Sequence, residues 1–190
     1  MAHDKPIAAG KSSFDLVDTA RVFEEIGLAS AHAFFDVACG SGRYSLAAAE
    51  KIHPGGIIYA ADLWPEGVAV LREAIRSRGL TNIEPLLADV SKRLPLADHT
   101  IDLCLMATVL HDLVEDRTAA GTLAEIRRLL RPGGTLAVIE FKKIAEGPGP
   151  PIRIRMSPAE VEHLLQPYGF RRAKLFETGP FTYCLTLTAA

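Results

Sequence analysis

The chain lacks the features that mark secreted, membrane-spanning and nucleic-acid-binding proteins. Its three cysteines are far apart and include no CxxC pair, which excludes a disulfide scaffold and favours a reducing cytoplasm. No apolar run approaches the ~20 residues that span a bilayer, and the N-terminus has no signal-peptide core. The net charge of −2 does not indicate the excess of positive charge that is typical of proteins that bind nucleic acid or an anionic membrane surface. We therefore expect a cytoplasmic protein with neither kind of partner.

Metal-ligand spacing is also missing from the sequence. The six histidines form no pattern such as HExxH. Cys39, Cys104 and Cys184 have the setting of small buried apolar residues rather than of ligands. We expect no metal site.

The composition that is present is typical of a globular protein. Of the 190 residues, 48% are apolar and 23% are charged. A single domain over residues 1–190 would bury roughly 70% of its unfolded surface. Residues 1–10 are small, polar and unpatterned, which predicts a loose N-terminus.

Segments with strand and helix patterns alternate along the chain. Strands are predicted over 33–38, 57–61, 83–88, 101–107, 135–139, 170–177 and 181–188, and helices over 15–28, 42–53, 65–79, 118–131 and 157–169. Pro132-Gly133-Gly134 is predicted to separate the fourth helix from the fifth strand. Continuous apolar runs favour a parallel sheet that is covered on both faces. The sequence thus predicts five parallel strands and a final hairpin, which can insert one antiparallel strand at the sheet edge.

The most informative stretch is 34–45, where an apolar run ends in a turn with two glycines and then opens onto a helix. Gly40 and Gly42 let backbone N–H groups approach a ligand, and the helix start adds partial positive charge. Asp62 follows 20 positions after Gly42, at the end of the second apolar run. In a βαβ unit this spacing suits a carboxylate that binds the two hydroxyls of a ribose. The pattern predicts a cofactor that contains adenosine.

Residues around this turn favour one adenosine cofactor over another. The nicotinamide fingerprint has Gly or Ala at its third position, and this chain has Ser45 there. Asp36, four residues before Gly40, would repel a pyrophosphate and suits an ammonium group. S-adenosylmethionine carries an ammonium, a ribose diol and a sulfonium cation, and it has no phosphate. The electrostatics favour S-adenosylmethionine, with a nicotinamide-dependent oxidoreductase as the alternative.

Several motifs, in order, resemble those of one enzyme superfamily. Residues 36–42 (Asp-Val-Ala-Cys-Gly-Ser-Gly) resemble motif I of class I S-adenosylmethionine-dependent methyltransferases, and Asp62 lies where that family has its ribose-binding acid. Residues 87–90 resemble the motif that holds the adenine, and 98–103 and 130–136 resemble the next two landmarks. Within the superfamily the chain is most similar to the methyltransferase-11 group, which includes ubiquinone/menaquinone-biosynthesis methyltransferases.

The resemblance implies an α/β protein with a Rossmann-like class I methyltransferase fold: a mostly parallel seven-stranded sheet with a C-terminal antiparallel hairpin and helices on both faces. It implies S-adenosylmethionine as cofactor, S-adenosylhomocysteine as product, and methyl transfer to a small-molecule acceptor by in-line displacement. The residues that it implies at the cofactor are Asp36, Ala38, Gly40, Gly42, Asp62, Leu63, Asp89, Val90 and Thr108. Asp89 would lie near the exocyclic amine of adenine, and Val90 would offer its backbone N–H. An S-adenosylmethionine-binding protein without turnover is a second alternative.

A polar cluster at 108–112 follows the fourth strand, at the edge where open α/β sheets bind ligands. His111 is the candidate catalytic residue there, because an imidazole titrates near neutral pH and can accept a proton from the acceptor. The alternative is a histidine that packs beside the cofactor without titrating. Asp112 either orients His111 or begins the loop.

Three further segments are candidates for contact with the acceptor. Residues 140–143 follow the fifth strand. The Gly/Pro-rich loop 147–151, with Arg153 and Arg155, either forms a lid that suits an anionic acceptor or is an ordinary charged loop. Residues 12–14, just before the first helix, are candidates to cover the other side of the active site. The sequence leaves open the acceptor, the methylated atom (O, C or N) and the oligomeric state, with a homodimer as one option.

Overall fold

The computed structural model describes residues 10–190, so nearly all of the loose terminus predicted for residues 1–10 lies outside the described residues. The helices in this part of the chain are Thr19–Glu25 (α1), Arg43–Ala48 (α2), Pro65–Arg78 (α3), Leu110–Glu115 (α4), Ala119–Leu129 (α5) and Pro158–Leu165 (α6). The strands are Ala33–Val37 (β1), Ile57–Asp62 (β2), Ile83–Leu87 (β3), Ile101–Ala107 (β4), Leu130–Phe141 (β5), Phe170–Glu177 (β6) and Thr182–Ala189 (β7).

All of these strands join one sheet in the order β3-β2-β1-β4-β5-β7-β6. The first five pair in parallel, and β7 runs antiparallel between β5 and β6. The predicted fold class is confirmed, namely a mostly parallel seven-stranded sheet that ends in an antiparallel hairpin. The hairpin inserts one antiparallel strand, as predicted.

Apolar side chains cover both faces of the sheet. Successive residues of β1 pack on opposite faces of the sheet. Phe34 packs on the side of α1, α2 and α3, whereas Phe35 packs on the side of α4, α5 and α6. Both side chains are almost fully buried. A strand covered on both faces needs apolar residues at successive positions, which explains why β1 and β4 show no alternation.

Local signals set several helix ends as predicted. α3 begins with Pro65 and is followed by Gly79, whose φ of 64° is left-handed. Ser157 and Glu160 form a capping box at the start of α6, in which each side chain accepts a hydrogen bond from the backbone N–H of the other residue. Within residues 10–190, no helix combines the length and apolar character needed to cross a membrane.

The helix predicted over 15–28 is wrong in extent, because α1 is short and is flanked by two 3₁₀ turns. Asp18 caps α1 by accepting a hydrogen bond from the Arg21 N–H at 3.0 Å. Gly27 then adopts a left-handed φ of 73°. A side-chain cap starts a helix and a left-handed residue ends one, so these residues bound α1. The helix predicted over 42–53 is likewise too long, since α2 gives way to turns.

The prediction that 132–134 separates the fourth helix from the fifth strand is wrong, because this segment lies inside β5. α5 gives way directly to β5, which is therefore longer than the predicted strand 135–139. Pairing between β4 and β5 shifts register between Ile101 and Leu103, and Gly133 has a left-handed φ of 76°. A proline and two glycines interrupt the ladder without ending the strand, so this segment is an irregular start of β5.

α3 packs closely against the glycine turn that follows β1, and Gly67 permits this approach. A Cβ at Gly67 would lie 2.8 Å from the carbonyl oxygen of Gly40 and would overlap the ring of Trp64. A Cβ this close to backbone requires the turn or the helix to shift. The position of α3 therefore depends on a residue without a side chain.

We predict that Gly67→Ala lowers the free energy of unfolding by about 1–3 kcal/mol, because the added methyl group must displace the turn or Trp64. Urea unfolding followed by circular dichroism measures this change. Ala69→Gly, on the exposed side of α3, is the matched control and should cost about 1 kcal/mol through helix propensity alone. A Gly67→Ala variant that equals or exceeds the wild type in stability would contradict the close approach.

Candidate active site

The ends of the parallel strands meet along one side of the sheet. We call it the carboxyl edge and define it as the residues at and just after the ends of β1 to β5. Strand order reverses between β1 and β4, which are neighbours in the sheet. Ligands bind in the crevice that forms at such a switch point. Asp62 ends β2, and Ala38, Asp89 and Thr108 follow β1, β3 and β4. The structure thus brings residues predicted at the cofactor to one edge of the sheet.

Backbone conformation is unusual on both sides of the switch point. Ala38, directly after β1, and Thr108, directly after β4, both have a φ of 55°. Left-handed non-glycine residues are strained and are concentrated at functional sites. Gly40 and Gly42 have φ values of 58° and 76°. A Cβ at Gly40 would meet no atom within 4 Å, so the turn has open space beside its backbone.

Asp62 links the end of β2 to the glycine turn. Its Oδ2 accepts a hydrogen bond from the Gly40 N–H at 2.7 Å, and its Oδ1 accepts one from the Trp64 N–H at 2.7 Å. Each carboxylate oxygen has a second lone pair. Asp62 can therefore hold the turn and still accept hydrogen bonds from a ligand.

Asp36 is a buried residue of β1 whose side chain contacts the start of α2. Its Oδ2 accepts hydrogen bonds from the Ser45 N–H at 3.1 Å and from the Ser45 hydroxyl at 2.5 Å. Burial raises the pKa of Asp36 to about 6; the hydrogen bonds from Ser45 oppose this rise, and the charge of Asp62 adds to it. Two repelling carboxylates beside an open turn favour a cationic ligand. A contact between Asp36 and an ammonium group stays a prediction.

Arg43, the first residue of α2, is paired on the outer side of the turn. Its guanidinium donates two hydrogen bonds to Asp15, at 2.5 and 2.6 Å, and lies 4.6 Å from the ring centroid of Phe14. Asp15 is largely exposed, so this pair faces solvent. The turn has the carboxylates of Asp36 and Asp62 beside it, the N–H groups of Gly40 and Gly42 donate within the protein, and its adjacent cation is already paired. Such a set fits the ammonium and sulfonium groups of S-adenosylmethionine better than a diphosphate.

The far side of the crevice is formed after β2 and β3. Asp89 Oδ1 accepts hydrogen bonds from the Ser91 N–H at 2.9 Å and from the Ser91 hydroxyl at 2.6 Å. Val90 is buried in the core, and Leu63 is 52% exposed. The structure places these residues at the ends of neighbouring strands. Their contacts with a nucleoside stay predictions.

His111, near the start of α4, is buried against the end of β5. Its Nδ1 lies 2.8 Å from Oε2 and 3.0 Å from Oε1 of Glu140, a residue with 0% exposure. The His111 backbone N–H also donates to Oε1 at 3.1 Å. Of the two alternatives for Asp112, orientation of the ring through a hydrogen bond is not favoured, because Nε2 lies 3.6 Å from Asp112 Oδ1, an ion-pair separation beyond hydrogen-bond distance. Asp112 instead belongs to the first turn of α4.

The electrostatic setting of His111 favours its protonated form. Burial acts to lower the pKa of His111, but the hydrogen bond to Glu140 and the charges of Glu140 and Asp112 outweigh it, so the pKa lies above its ordinary value. Sequence reasoning placed Glu140 near the acceptor and missed its partner. The two residues are 29 positions apart, and the parallel pairing of β4 with β5 brings them together. The sequence signal that could have indicated this pair was an acid at the end of one apolar strand and a histidine just after another.

Residues 12–14, predicted as a cover, contact the carboxyl edge. Ser13 is 4% exposed, and its hydroxyl lies 3.0 Å from both the Tyr44 hydroxyl and the Thr108 hydroxyl. The ring of Phe14 meets that of Tyr44 edge to face, with centroids 5.1 Å apart. This segment therefore connects α2 with the end of β4 across the switch point.

Of the two alternatives for the loop that carries Arg153 and Arg155, the contacts of the arginines favour an ordinary charged loop over a lid. Arg155 is 5% exposed and donates to the backbone carbonyl groups of its own loop. Its four acceptors, at 2.8 to 3.3 Å, are Pro150, Ile144, Pro148 and Lys142. Arg153 pairs with Glu115 of α4 at 3.0 Å. A buried guanidinium needs hydrogen-bond partners, and Arg155 finds them by folding the loop around itself.

Comparison with protein families extends the resemblance drawn from the motifs. The methyltransferase-11 family profile, described as a methyltransferase domain, matches residues 35–138, more than half of the chain. The match includes the glycine turn, Asp62, Asp89 and His111. The chain belongs to the methyltransferase-11 family. The recognised resemblance is confirmed, and a nicotinamide-dependent oxidoreductase is not favoured.

Curated relatives of this methyltransferase-family chain are longer proteins. Over 120 residues the chain is 29% identical to the ubiquinone/menaquinone biosynthesis C-methyltransferase UbiE of Cupriavidus necator, a match that covers 63% of the chain and 47% of the relative. The chain thus spans about half the length of the curated relatives that it matches.

Solved structures match over nearly the whole chain. A SAM-dependent methyltransferase from Aquifex aeolicus is 30% identical, with a TM-score of 0.85 over 94% of this chain and 93% of that one. The N-methyltransferase NodS from Bradyrhizobium japonicum, in complex with S-adenosyl-L-homocysteine, has a TM-score of 0.70 at 14% identity, covering 99% and 93% of the two chains. The first match supports the family, and the second shows the shared fold.

The pKa of Asp36 predicts how stability depends on pH. Its folded value of about 6 lies above the ordinary 3.8, so the proton binds more tightly in the folded state. This contribution to stability is present below about pH 4 and is lost as the pH rises through about 6. Asp36→Asn, which stays neutral, should therefore gain up to about 3 kcal/mol relative to the wild type over that rise.

Urea unfolding of both proteins from about pH 4 to pH 8 measures this difference. Asp98→Asn is the control, because a hydrogen bond from Arg128 lowers the pKa of Asp98 and this carboxyl group is therefore already ionised over most of the range. The difference between that variant and the wild type should stay almost constant as the pH rises. A constant difference between Asp36→Asn and the wild type would contradict a raised pKa for this buried carboxyl group.

Proposed function

We propose that this chain is an S-adenosylmethionine-dependent methyltransferase that acts as a single domain on a small-molecule acceptor. The observation that carries the proposal is the acid-lined glycine turn at the switch point of a methyltransferase-family sheet. The relatives support the same reaction: the Aquifex aeolicus protein is named a SAM-dependent methyltransferase and the Cupriavidus necator protein a C-methyltransferase. The NodS complex contains S-adenosyl-L-homocysteine, the product of such a reaction.

In this proposal, residues from four strand ends hold the cofactor. Asp62 binds the ribose hydroxyls and Asp36 attracts the ammonium group. Asp89 and Val90 hold the adenine through a carboxylate and a backbone N–H. The remaining contacts come from the glycine turn and from the rim of the crevice, at Ala38, Gly40, Gly42, Leu63 and Thr108. The open space beside Gly40 supports this arrangement, because a ligand can lie directly on the backbone.

S-adenosylmethionine supplies a methyl group on a cationic sulfonium, and its carbon–sulfur bond breaks with the electron pair passing to sulfur as the acceptor bonds to the methyl carbon. The main tasks of the chain are therefore to hold the acceptor in line and to exclude water. Ser13 and Phe14, which lie against the carboxyl edge, serve the second task. His111 accepts a proton from the acceptor, a role supported by its contact with Glu140.

We predict that Asp62→Ala weakens the binding of S-adenosylmethionine by about tenfold or more, because hydrogen bonds to a charged group are worth ~1.5–3 kcal/mol. Isothermal titration calorimetry measures the affinity. Glu66→Gln removes an exposed carboxylate from the neighbouring first turn of α3 and should leave the affinity unchanged. Equal affinities for Asp62→Ala and the wild type would remove Asp62 from the site. Micromolar binding of NAD without binding of S-adenosylmethionine would overturn the cofactor.

We predict that His111→Ala retains the affinity for S-adenosylmethionine and lowers turnover by about 10²–10⁴-fold, the usual contribution of a general base. Release of S-adenosylhomocysteine over a panel of small-molecule acceptors measures turnover. His163→Ala, at an exposed position on α6, should change neither quantity. Unchanged turnover in His111→Ala would exclude His111 as the base. If no acceptor yields S-adenosylhomocysteine, a binding protein without turnover becomes the better interpretation.

A further inference from the structure

Glu140 is a fully buried carboxylate at the end of β5, and the contacts of its two oxygens centre on His111. Oε1 accepts from the His111 backbone N–H at 3.1 Å and lies 3.0 Å from Nδ1, while Oε2 lies 2.8 Å from Nδ1. Oε2 also accepts a longer bond from the Phe141 N–H at 3.3 Å. A carboxylate without water is costly unless donors surround it, so burial of Glu140 depends on His111.

This contact determines where the ring carries its proton. An ionised carboxylate accepts hydrogen bonds and cannot donate them, so Nδ1 of His111 is the donor to Glu140 when Glu140 is ionised. In the neutral ring, Nε2 then has the free lone pair. Nε2 lies 3.6 Å from Asp112 Oδ1, which is too long for a hydrogen bond. The neutral ring therefore presents an acceptor atom on the side away from Glu140.

The charged groups around the ring come from three elements. Glu140 lies on β5 and Asp112 on α4, and both favour the protonated ring. Arg155, in the loop before α6, opposes them at longer range, and its guanidinium is hydrogen-bonded to backbone carbonyl groups. Phe141 packs edge to face on the imidazole at a centroid distance of 6.3 Å. Glu140 is the group of this set that contacts Nδ1 directly.

We propose that Glu140 is the positioning residue of the site: it fixes His111 in the Nδ1-protonated tautomer, so that Nε2 receives the proton of an acceptor that arrives protonated at the reacting atom. This inference rests on the proposed methyl transfer. In the methyl-transfer step, the acceptor atom X forms a bond to the methyl carbon and the carbon–sulfur electron pair passes to sulfur. The X–H electron pair stays on X, and the proton moves to Nε2 of His111. A hydroxyl group or an acidic C–H group meets this requirement.

The test is nuclear magnetic resonance of the full chain labelled with ¹⁵N, alone and with added S-adenosylhomocysteine. Long-range ¹H–¹⁵N correlations report which ring nitrogen carries the proton, and the His111 signals are assigned by their loss in His111→Asn. The neutral ring should show a protonated Nδ1 and an unprotonated Nε2. Protonation of Nε2 in the neutral ring would overturn the proposal. This arm uses the unsubstituted protein, so it does not depend on the folding of any Glu140 variant.

A second arm follows the titration of the same ring in Glu140→Gln. The amide still accepts a hydrogen bond from Nδ1 but carries no charge, so the midpoint should fall by about one to two pH units relative to the wild type. Glu125→Gln is the matched control, since Glu125 is a buried carboxylate paired with Arg128 on α5. It should leave the His111 midpoint unchanged. A Glu140→Gln midpoint equal to that of the wild type would show that Glu140 has only a structural role.

Calorimetry with S-adenosylmethionine separates this inference from the proposed function. If the cofactor fails to bind, the methyl transfer fails whatever the tautomer. If the cofactor binds while the neutral ring carries its proton on Nε2, the role of Glu140 fails and the methyl transfer stands.

Discussion

The carboxylates that this fold buries at its carboxyl edge must receive hydrogen bonds from the protein itself, and that requirement organises the site. The contacts join Asp36 to Ser45, Asp62 to Gly40 and Trp64, and Glu140 to His111. Each contact ties a strand to the glycine turn or to a helix near the carboxyl edge, because a carboxylate removed from water costs several kcal/mol without donors (~3–5 when a buried partner is lost). The acids therefore position the glycine turn, α2 and α4 independently of any ligand.

The same arrangement places buried negative charge and backbone strain, both energetically unfavourable, where a cofactor is proposed to bind. Burial and the neighbouring charge of Asp62 raise the pKa of Asp36, and Ala38 and Thr108, directly after β1 and β4, have left-handed backbones. Strain and buried charge are typical of binding sites, where a ligand relieves them and the surrounding core offsets them. The sheet, covered on both faces, supplies that core. A cationic ligand relieves the negative charge, whereas a phosphate would add to it.

The sequence predictions that succeeded were those based on local patterns of residues. The apolar runs located the strands, and Ser157 with Glu160 located the start of α6, because each signal acts within a few residues. Side-chain partners were harder to predict. Asp112 is the sequence neighbour of His111, but its carboxylate lies 3.6 Å from Nε2, whereas Glu140, 29 positions away, contacts Nδ1 at 2.8 Å. Arg155 finds backbone carbonyl groups as partners, and the path of that loop has no periodic signal from which to infer it.

The sequence by itself determined the order of the strands and of the helices other than α4, together with the glycine turn and the acid that ends β2, since these follow from periodicity, glycine and spacing along a βαβ unit. Only the tertiary structure decided that β4 lies beside β1 and β5, and that Nδ1 of His111 meets Glu140. The physical reason is that hydrogen bonds between distant residues depend on which strands become neighbours. Strand pairing is selected by burial of both sheet faces together, a property of the whole chain and of no single segment.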